Sequence, residues 1–328
     1  GIAMGKTSAM NLFRRLEQLN GIGAALSRER DIERLLENIL EAAKTLTGAD
    51  GGTLYSVTES RTALHFEIMR TDSLGIRQGG TTGQRIALPD LPLRHADGSP
   101  NDALVAAHSA LHDRTVNIAD AYAEEGFDFS GTRAFDQRTG YRSQSFLTVP
   151  MKNHDGELIG VLQLLNALDP ETGQVVAFSE ADQSLTESLA SQAAIALSNR
   201  LLITQLERLF ESFVKLINIA IDEKSPYTGG HCERVPALTM MLAEAADATT
   251  EGPLADFHMT ERDRYELQMA GLLHDCGKIT TPVHVVDKAT KLQTIYDRID
   301  LVDTRFEVLK RDARLAALRA QLALRPVV

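Results

Sequence analysis

The chain has 328 residues, of which 43% are apolar, enough for two cored domains and a connecting element. It has no tryptophan, only 5% aromatic residues and a net charge of −11, a composition that argues against single-stranded nucleic-acid binding and against anionic membrane surfaces. No apolar run approaches the roughly 18 residues of a membrane span, no signal peptide is visible, and two cysteines are too few for a disulfide framework, so a reducing cytoplasm is the expected setting. Gly1-Ile2-Ala3 precede the first methionine, Met4, and read as an expression remnant ahead of an N-terminal helix, together residues 1–30.

From Ser8 to Leu46 the pattern is helical. Leu12, Leu16 and Leu19, then Ile32, Leu35, Leu36, Ile39 and Leu40, form stripes, with Gly21 and Gly23 interrupting between them. The period changes at Ala49. Gly52–Val57 and Ala63–Ile68 read as strands. Thr71–Pro100, rich in Gly, Pro, Thr and Asp, reads as loop. Ala103–Leu111 reads as a short helix and Val116–Ile118 as a short strand. Ser145–Met151 and Leu158–Asn166 form a hairpin around the Asp155-Gly156 turn. Ser179 then caps a helix, with Asp182 three residues on.

This order resembles a GAF domain, a small-ligand sensing module, over about residues 31–200. The sharpest matches are Val149-Pro150, the Gly160–Asn166 strand and the Phe178–Asp182 helix start. Phe135–Arg142 is similar to the cyclic-nucleotide-binding members. The resemblance implies ligand contacts at Asn166, Phe178 and Asp182, while Ala167 and Gln183 depart from the pattern. The ligand is therefore open: a cyclic nucleotide, another small molecule, or none in a domain that only dimerises. A thioether-linked bilin is excluded within the domain, which has no cysteine.

A long helix spans about Glu180–Lys224. Leu185, Leu189, Gln192, Ala196, Asn199, Ile203, Leu206, Phe210, Phe213, Ile217 and Ala220 follow alternating steps of four and three, and only Gln192 and Asn199 are polar. That is a heptad seam on a rod on the order of 50 Å long. One helix cannot bury it alone, so residues 185–220 are expected to form a parallel homodimer, in a connecting coiled coil over 185–224. The first half of the seam can instead pack on the GAF sheet.

Beyond it, Ser225–Val235 and Ala270–Ile279 carry the chemistry. His231 opens an apolar helical stripe, and His274-Asp275 ends another, followed by Gly277 and Lys278. Imidazole beside carboxylate suits a divalent metal of borderline softness, and a nearby ammonium can neutralise a phosphate. The two segments, with Pro282 and the Lys288–Leu292 stretch, resemble the HD-GYP family of metal-dependent phosphohydrolases that cleave cyclic di-GMP. The resemblance implies that His231 and His274 are metal ligands and that Asp275 bridges two ions, iron or manganese ahead of zinc. It also implies that Lys278 steadies the phosphoryl oxygens. Where the family carries a further histidine, this chain has Asp303: a carboxylate ligand or a surface acid, with Asp300 a second candidate. His284 reads as an exposed loop residue. Cys232 and Cys276, each beside a candidate ligand, read as small buried thiols. The family's later His-His-Glu and Gly-Tyr-Pro segment is absent, and truncation is expected, with at least one ligand missing. The closing Ala/Leu/Arg helix, Arg311–Leu324, then offers an apolar face to another chain.

The expected fold is α+β: an N-terminal GAF domain with an antiparallel sheet and flanking helices, a coiled-coil linker helix, and an incomplete all-α HD-type domain over 205–328. Two further readings stay open. The HD domain can be a non-catalytic regulator, or a phosphohydrolase acting on another nucleotide.

Overall fold

The computed structural model describes residues 2–224 and 230–324, with side chains from residue 9 onward. The Ser225–Gly229 part of the motif lies outside the described residues. The chain divides into two compact units, residues 1–205 and 206–328.

In the first unit, α1 (Ile2–Arg28) and α2 (Ile32–Thr47) precede β1 (Ala49–Val57) and β2 (Ala63–Thr71). Then come β3 (Ile76–Gly79), β4 (Leu91–Pro92), α3 (Val105–His112), β5 (Val116–Ile118), α4 (Ser130–Thr139), β6 (Phe146–Lys152), β7 (Leu158–Leu168) and β8 (Val175–Val176). The helix α5 (Glu180–Lys224) follows. The strands form one antiparallel sheet in the order β3-β2-β1-β7-β6-β5, with β4 added to β2 and β8 to β7.

Two expectations change. α1 runs unbroken through Gly21 and Gly23. A Cβ on Gly23 would stand 2.0 Å from Gln192 Oε1, so this glycine makes room for the tip of an α5 side chain rather than ending a helix. The stretch read as loop, Thr71–Pro100, contributes β3 and β4 to the sheet, because the left-handed Gly75 turns the chain back alongside β2.

One face of the sheet is covered by α1, α2 and the first half of α5. Leu35, Ile39 and Leu40 from α2, and Leu189 and Ala193 from α5, meet Leu54, Leu147, Leu162 and Leu164 in the main core. The other face carries α3 and a smaller core around Tyr55, Leu64, Ala107 and Val161. A bulge switches β2 between the two. Its pairing steps from Leu54–Ile68 to Tyr55–Phe66, which sets Leu64 and Ile68 on opposite faces. Arg70, 1% exposed, is answered by the Met69 and Gln78 carbonyls at 2.9 and 2.7 Å and by Glu37 of α2 at 3.2 Å.

Asn166 has φ 54, a left-handed conformation that asparagine tolerates better than most residues. Its Oδ1 accepts the backbone N–H of Gln144 (2.7 Å) and Ser145 (3.1 Å). Its Nδ2 donates to the Arg142 carbonyl (2.8 Å) and the Tyr141 hydroxyl (2.9 Å). Buried to 1% exposure, it splices the segment after α4 onto β7.

The second unit contains the end of α5, α6 (His231–Asp247), α7 (Glu261–Leu273), the one-turn α8 (Val283–Val286) and α9 (Ile299–Ala323). α6 packs on α7. Arg264 ties them at one end, reaching Asp247 at 2.7 Å. No described residue of α9 is buried.

Asn166→Ala strips one buried and one half-buried amide of their acceptor and should lower the stability of the first unit by about 2–4 kcal/mol. Asn166→Asp, which keeps the oxygen, should recover part of that. Urea denaturation followed by circular dichroism measures both, and an unchanged midpoint for the alanine variant would contradict the splice role.

Candidate metal centre

The centre is made where α6 begins and α7 ends. Gly230 takes a left-handed φ of 71 just ahead of α6, and its N–H donates to Asp222 of α5 at 3.1 Å. His231 is therefore the first helical residue. At the other end, Thr260 and Asp263 form a reciprocal capping box that fixes the start of α7. Its last turn carries Gly271 against Pro236 of α6. A Cβ on Gly271 would stand 3.1 Å from the Pro236 Cα, tight enough that the helices would have to part by a few tenths of an ångström. His274 then leaves α7 beside His231.

The two Nε2 atoms are 3.1 Å apart, and the rings are tilted at 60° with centroids 5.2 Å apart. Asp275 Oδ2 lies 3.3 Å from His231 Nε2 and 3.2 Å from His274 Nε2. His274 Nδ1 donates to the Gly271 carbonyl at 2.6 Å, which leaves Nε2 with its lone pair facing inward. Donors bonded at about 2.0–2.2 Å to a tetrahedral ion are separated by about 3–3.5 Å. The three donor atoms already meet that spacing, so these residues fit a divalent transition metal.

Lys278 Nζ bonds to the same Asp275 oxygen at 2.7 Å. Partial burial favours the protonated acid. The Lys278 ammonium and the two imidazoles outweigh it, so Asp275 is held below the usual carboxylate range. The turn carrying Lys278, residues Cys276–Ile279, is anchored by Lys224 of α5, which donates to the carbonyls of Lys278 (3.1 Å) and Ile279.

The other expected site residues lie elsewhere. Asp303 is exposed on α9 and does not belong to the His231–His274–Asp275 group; Asp300 is likewise exposed. His284 is exposed on α8. Cys232 is buried, and burial with the nearby Asp222 pushes its thiol up to about 11, which makes it unreactive. Cys276 is exposed, contrary to expectation, because no residue in its short turn is buried.

In the first unit, Asn166, Phe178 and Asp182 serve the fold. Asn166 is the splice described above, and Phe178 is in the main core. Asp182 closes the Ser179 capping box at 2.8 and 3.1 Å and pairs with Arg15. None of the three lines the cavity on the other face of the sheet. That cavity, of about 650 Å³, is bounded by Tyr55, Phe66, Phe135, Arg85, Arg138 and Gln163 among others. Inside the sheet, Tyr55 donates to Gln163 (3.4 Å), which donates to Thr148 (3.1 Å). Sequence reading singled out the Phe135–Arg142 stretch but not Arg85, which comes from the segment read as loop.

The fold thus joins a sheet-and-helix module with a cavity to a helical module with a His-His-Asp centre. The family models match accordingly: a GAF domain over residues 31–197 and an HD domain over residues 228–322. The chain belongs to the GAF domain family and carries an HD domain after it. Among curated proteins it is similar to the dual 3′,5′-cyclic-AMP and -GMP phosphodiesterase 11A of Takifugu rubripes, at 31% identity over 118 residues. It is also similar to the dual 3′,5′-cyclic-AMP and -GMP phosphodiesterase 11 of Drosophila melanogaster, at 36% over 95 residues. These matches cover 36% and 29% of this chain but 12% and 6% of the relatives' length. Among solved structures, the GAF domains of phosphoenolpyruvate-protein phosphotransferases from Acinetobacter and Coxiella burnetii are 17% and 15% identical. They cover 58% and 60% of this chain and 98% and 99% of their own, with TM-scores of 0.42 and 0.44. No described helix is long and apolar enough to cross a membrane.

Asp275→Ala and His274→Ala should each weaken manganese or zinc binding at this centre at least about tenfold, whereas Asp303→Ala should leave it unchanged. Competition with a chromogenic chelator reads the affinities. Equal loss with Asp303→Ala would return that residue to the ligand set. Gly271→Ala should weaken binding too, by forcing α6 from α7 without removing a donor.

Proposed function

We propose that this chain couples a small-ligand sensor to a metal-dependent phosphodiesterase centre, with a cyclic dinucleotide of the cyclic di-GMP type as substrate. The observation that carries the reading is the convergence of His231 Nε2, His274 Nε2 and Asp275 Oδ2 within 3.1–3.3 Å, with Lys278 on the same carboxylate. These three residues would hold the cation or cations. A divalent ion held there would supply an acidified water and a Lewis acid for the phosphoryl oxygens. Lys278 keeps Asp275 ionised and has N–H donors left over for a phosphoryl oxygen. The Gly271 carbonyl fixes the His274 ring. That two relatives bear the name of cyclic-nucleotide phosphodiesterases supports the phosphodiester class. The cyclic di-GMP assignment rests on the motif resemblance.

The sensor ligand would occupy the 650 Å³ cavity, where Phe66 and Phe135 offer apolar faces and Arg85 and Arg138 offer cationic donors. That lining favours an anionic ligand with a flat apolar body, a description that includes a cyclic nucleotide. α5 would carry the signal as a parallel homodimer. Its buried stripe in the second unit is Val214, Asn218 and Ile221, while Leu202, Leu206, Leu209, Phe213 and Leu216 remain exposed. A helix with one apolar face covered and a second, heptad-spaced one uncovered has the pattern of a coiled-coil strand.

A second reading is favoured by one observation. Asp303 stands apart from the triad, so the described residues bring only three protein donors together. A three-donor centre can bind metal and nucleotide without turnover.

Manganese-loaded protein should hydrolyse cyclic di-GMP, and Asp275→Ala should reduce the rate by at least about a hundredfold. Assays on cyclic AMP, cyclic GMP and cyclic di-GMP in parallel identify the substrate. Metal uptake that Asp275→Ala weakens, with no hydrolysis of any of them, would select the non-catalytic reading. Inserting one residue after Gln205 rotates the downstream helix by about 100° and should abolish any effect of a sensor ligand on the rate.

A further inference from the structure

A second constellation of metal-binding side chains lies in the first unit, away from the cavity. α3 places His108 and His112 one turn apart on one face, with ring centroids 4.6 Å apart. Asp102, in the segment just before α3, puts Oδ1 2.6 Å from His112 Nε2 and 3.4 Å from His108 Nδ1. The three ligand atoms all lie within 4.8 Å of one another.

The surroundings hold this arrangement in place. Asn101, buried, donates its backbone N–H to the Leu93 carbonyl at 2.9 Å and Nδ2 to the Pro92 carbonyl at 2.8 Å. Asp128 N donates to the Ala103 carbonyl at 2.8 Å. The residues on both sides of Asp102 are therefore pinned. The edge-on contact with Phe127, at 5.2 Å and 80°, fixes the His108 ring. His108 Nδ1 is buried and makes no hydrogen bond, so a lone pair or a proton is left unanswered beside a carboxylate. The adjacent acid, Asp113, does not compete, being engaged by Lys152 at 2.6 Å. The ion-pair partners of Asp102 are these two imidazoles.

We propose that Asp102, His108 and His112 form a second divalent transition-metal site, of zinc type, independent of the His231–His274–Asp275 centre. Two nitrogen donors in three exclude the hard, all-oxygen preference of magnesium and calcium. Bonds of about 2.0–2.2 Å need donors about 3–3.5 Å apart: His108 and Asp102 already stand 3.4 Å apart, Asp102 and His112 part slightly as the proton between them is released, and the two histidine donors, within 4.8 Å of each other, close on the ion. Asp102 and His112 are exposed at 47% and 41%, which leaves the outer side of the ion to water. The ion would clip the segment before α3 to the last turn of that helix and so brace the module where α3 packs on β6 and β7.

The test uses the full chain carrying His231→Ala and His274→Ala, which removes the other centre. Zinc titration against a chromogenic chelator should then find one equivalent bound, and cobalt should give a visible absorption band. Adding His112→Ala, or Asp102→Asn, should weaken zinc binding at least about tenfold, with the metal-free circular dichroism spectrum unchanged. Zinc should raise the unfolding temperature of the parent of this pair and not that of the derivatives. No zinc bound by the parent, or the same affinity in the derivatives, would overturn the proposal.

Discussion

Everything distinctive about the HD module depends on two imidazole nitrogens brought to 3.1 Å by the close contact of α6 and α7. Two facing lone pairs repel unless a proton or a cation lies between them. Here a carboxylate stands beside both, and an ammonium keeps that carboxylate charged. The Gly271–Pro236 contact makes the approach sterically allowed, and the Thr260 capping box and the Arg264–Asp247 pair hold the far end of the helix pair. The geometry is thus a property of helix packing, with the chemistry placed at the point where the helices meet most closely.

The same division of labour appears in the GAF module. Burial on one face of the sheet supplies stability, through the leucines of α2 and α5 against those of β1, β6 and β7. The opposite face holds the smaller clusters and the cavity, with Arg85 and Arg138 in its lining. The bulge in β2 is what allows one strand to serve both faces. Polar residues that look like ligand contacts by motif are spent on the fold: Asn166 on a chain splice and Asp182 on a helix start.

Much of this was legible from residue pattern. Ser179 and Asp182, and Thr260 and Asp263, mark helix starts because a short polar side chain and an acid three residues on satisfy amides that nothing else can. The uninterrupted heptad of α5 could only be a long helix. The His231 and His274-Asp275 segments were recognisable as partners by motif. Other features turned on contacts distant in sequence. Gly23 looks like a break until Gln192 is seen against it. Cys276 looks like a core thiol until its turn is seen to have no cover. The left-handed φ of Asn166 and the bulge of β2 leave no local signature. His108 and His112 leave a partial one: a four-residue spacing puts both rings on one face of a helix, but the helix read from the sequence, Ala103–Leu111, stops one residue short of His112. It gains meaning only when Asp102 closes the third side.

The central claim is that both imidazoles and Asp275 face one cation. X-ray absorption at the manganese or zinc edge tests it most directly, on full chain carrying His108→Ala and His112→Ala so that only one centre contributes. The account predicts oxygen and nitrogen neighbours with the multiple-scattering signature of two imidazoles, reduced by one in His231→Ala and by one in His274→Ala. A spectrum without imidazole scattering, or one that both substitutions leave unchanged, would contradict it.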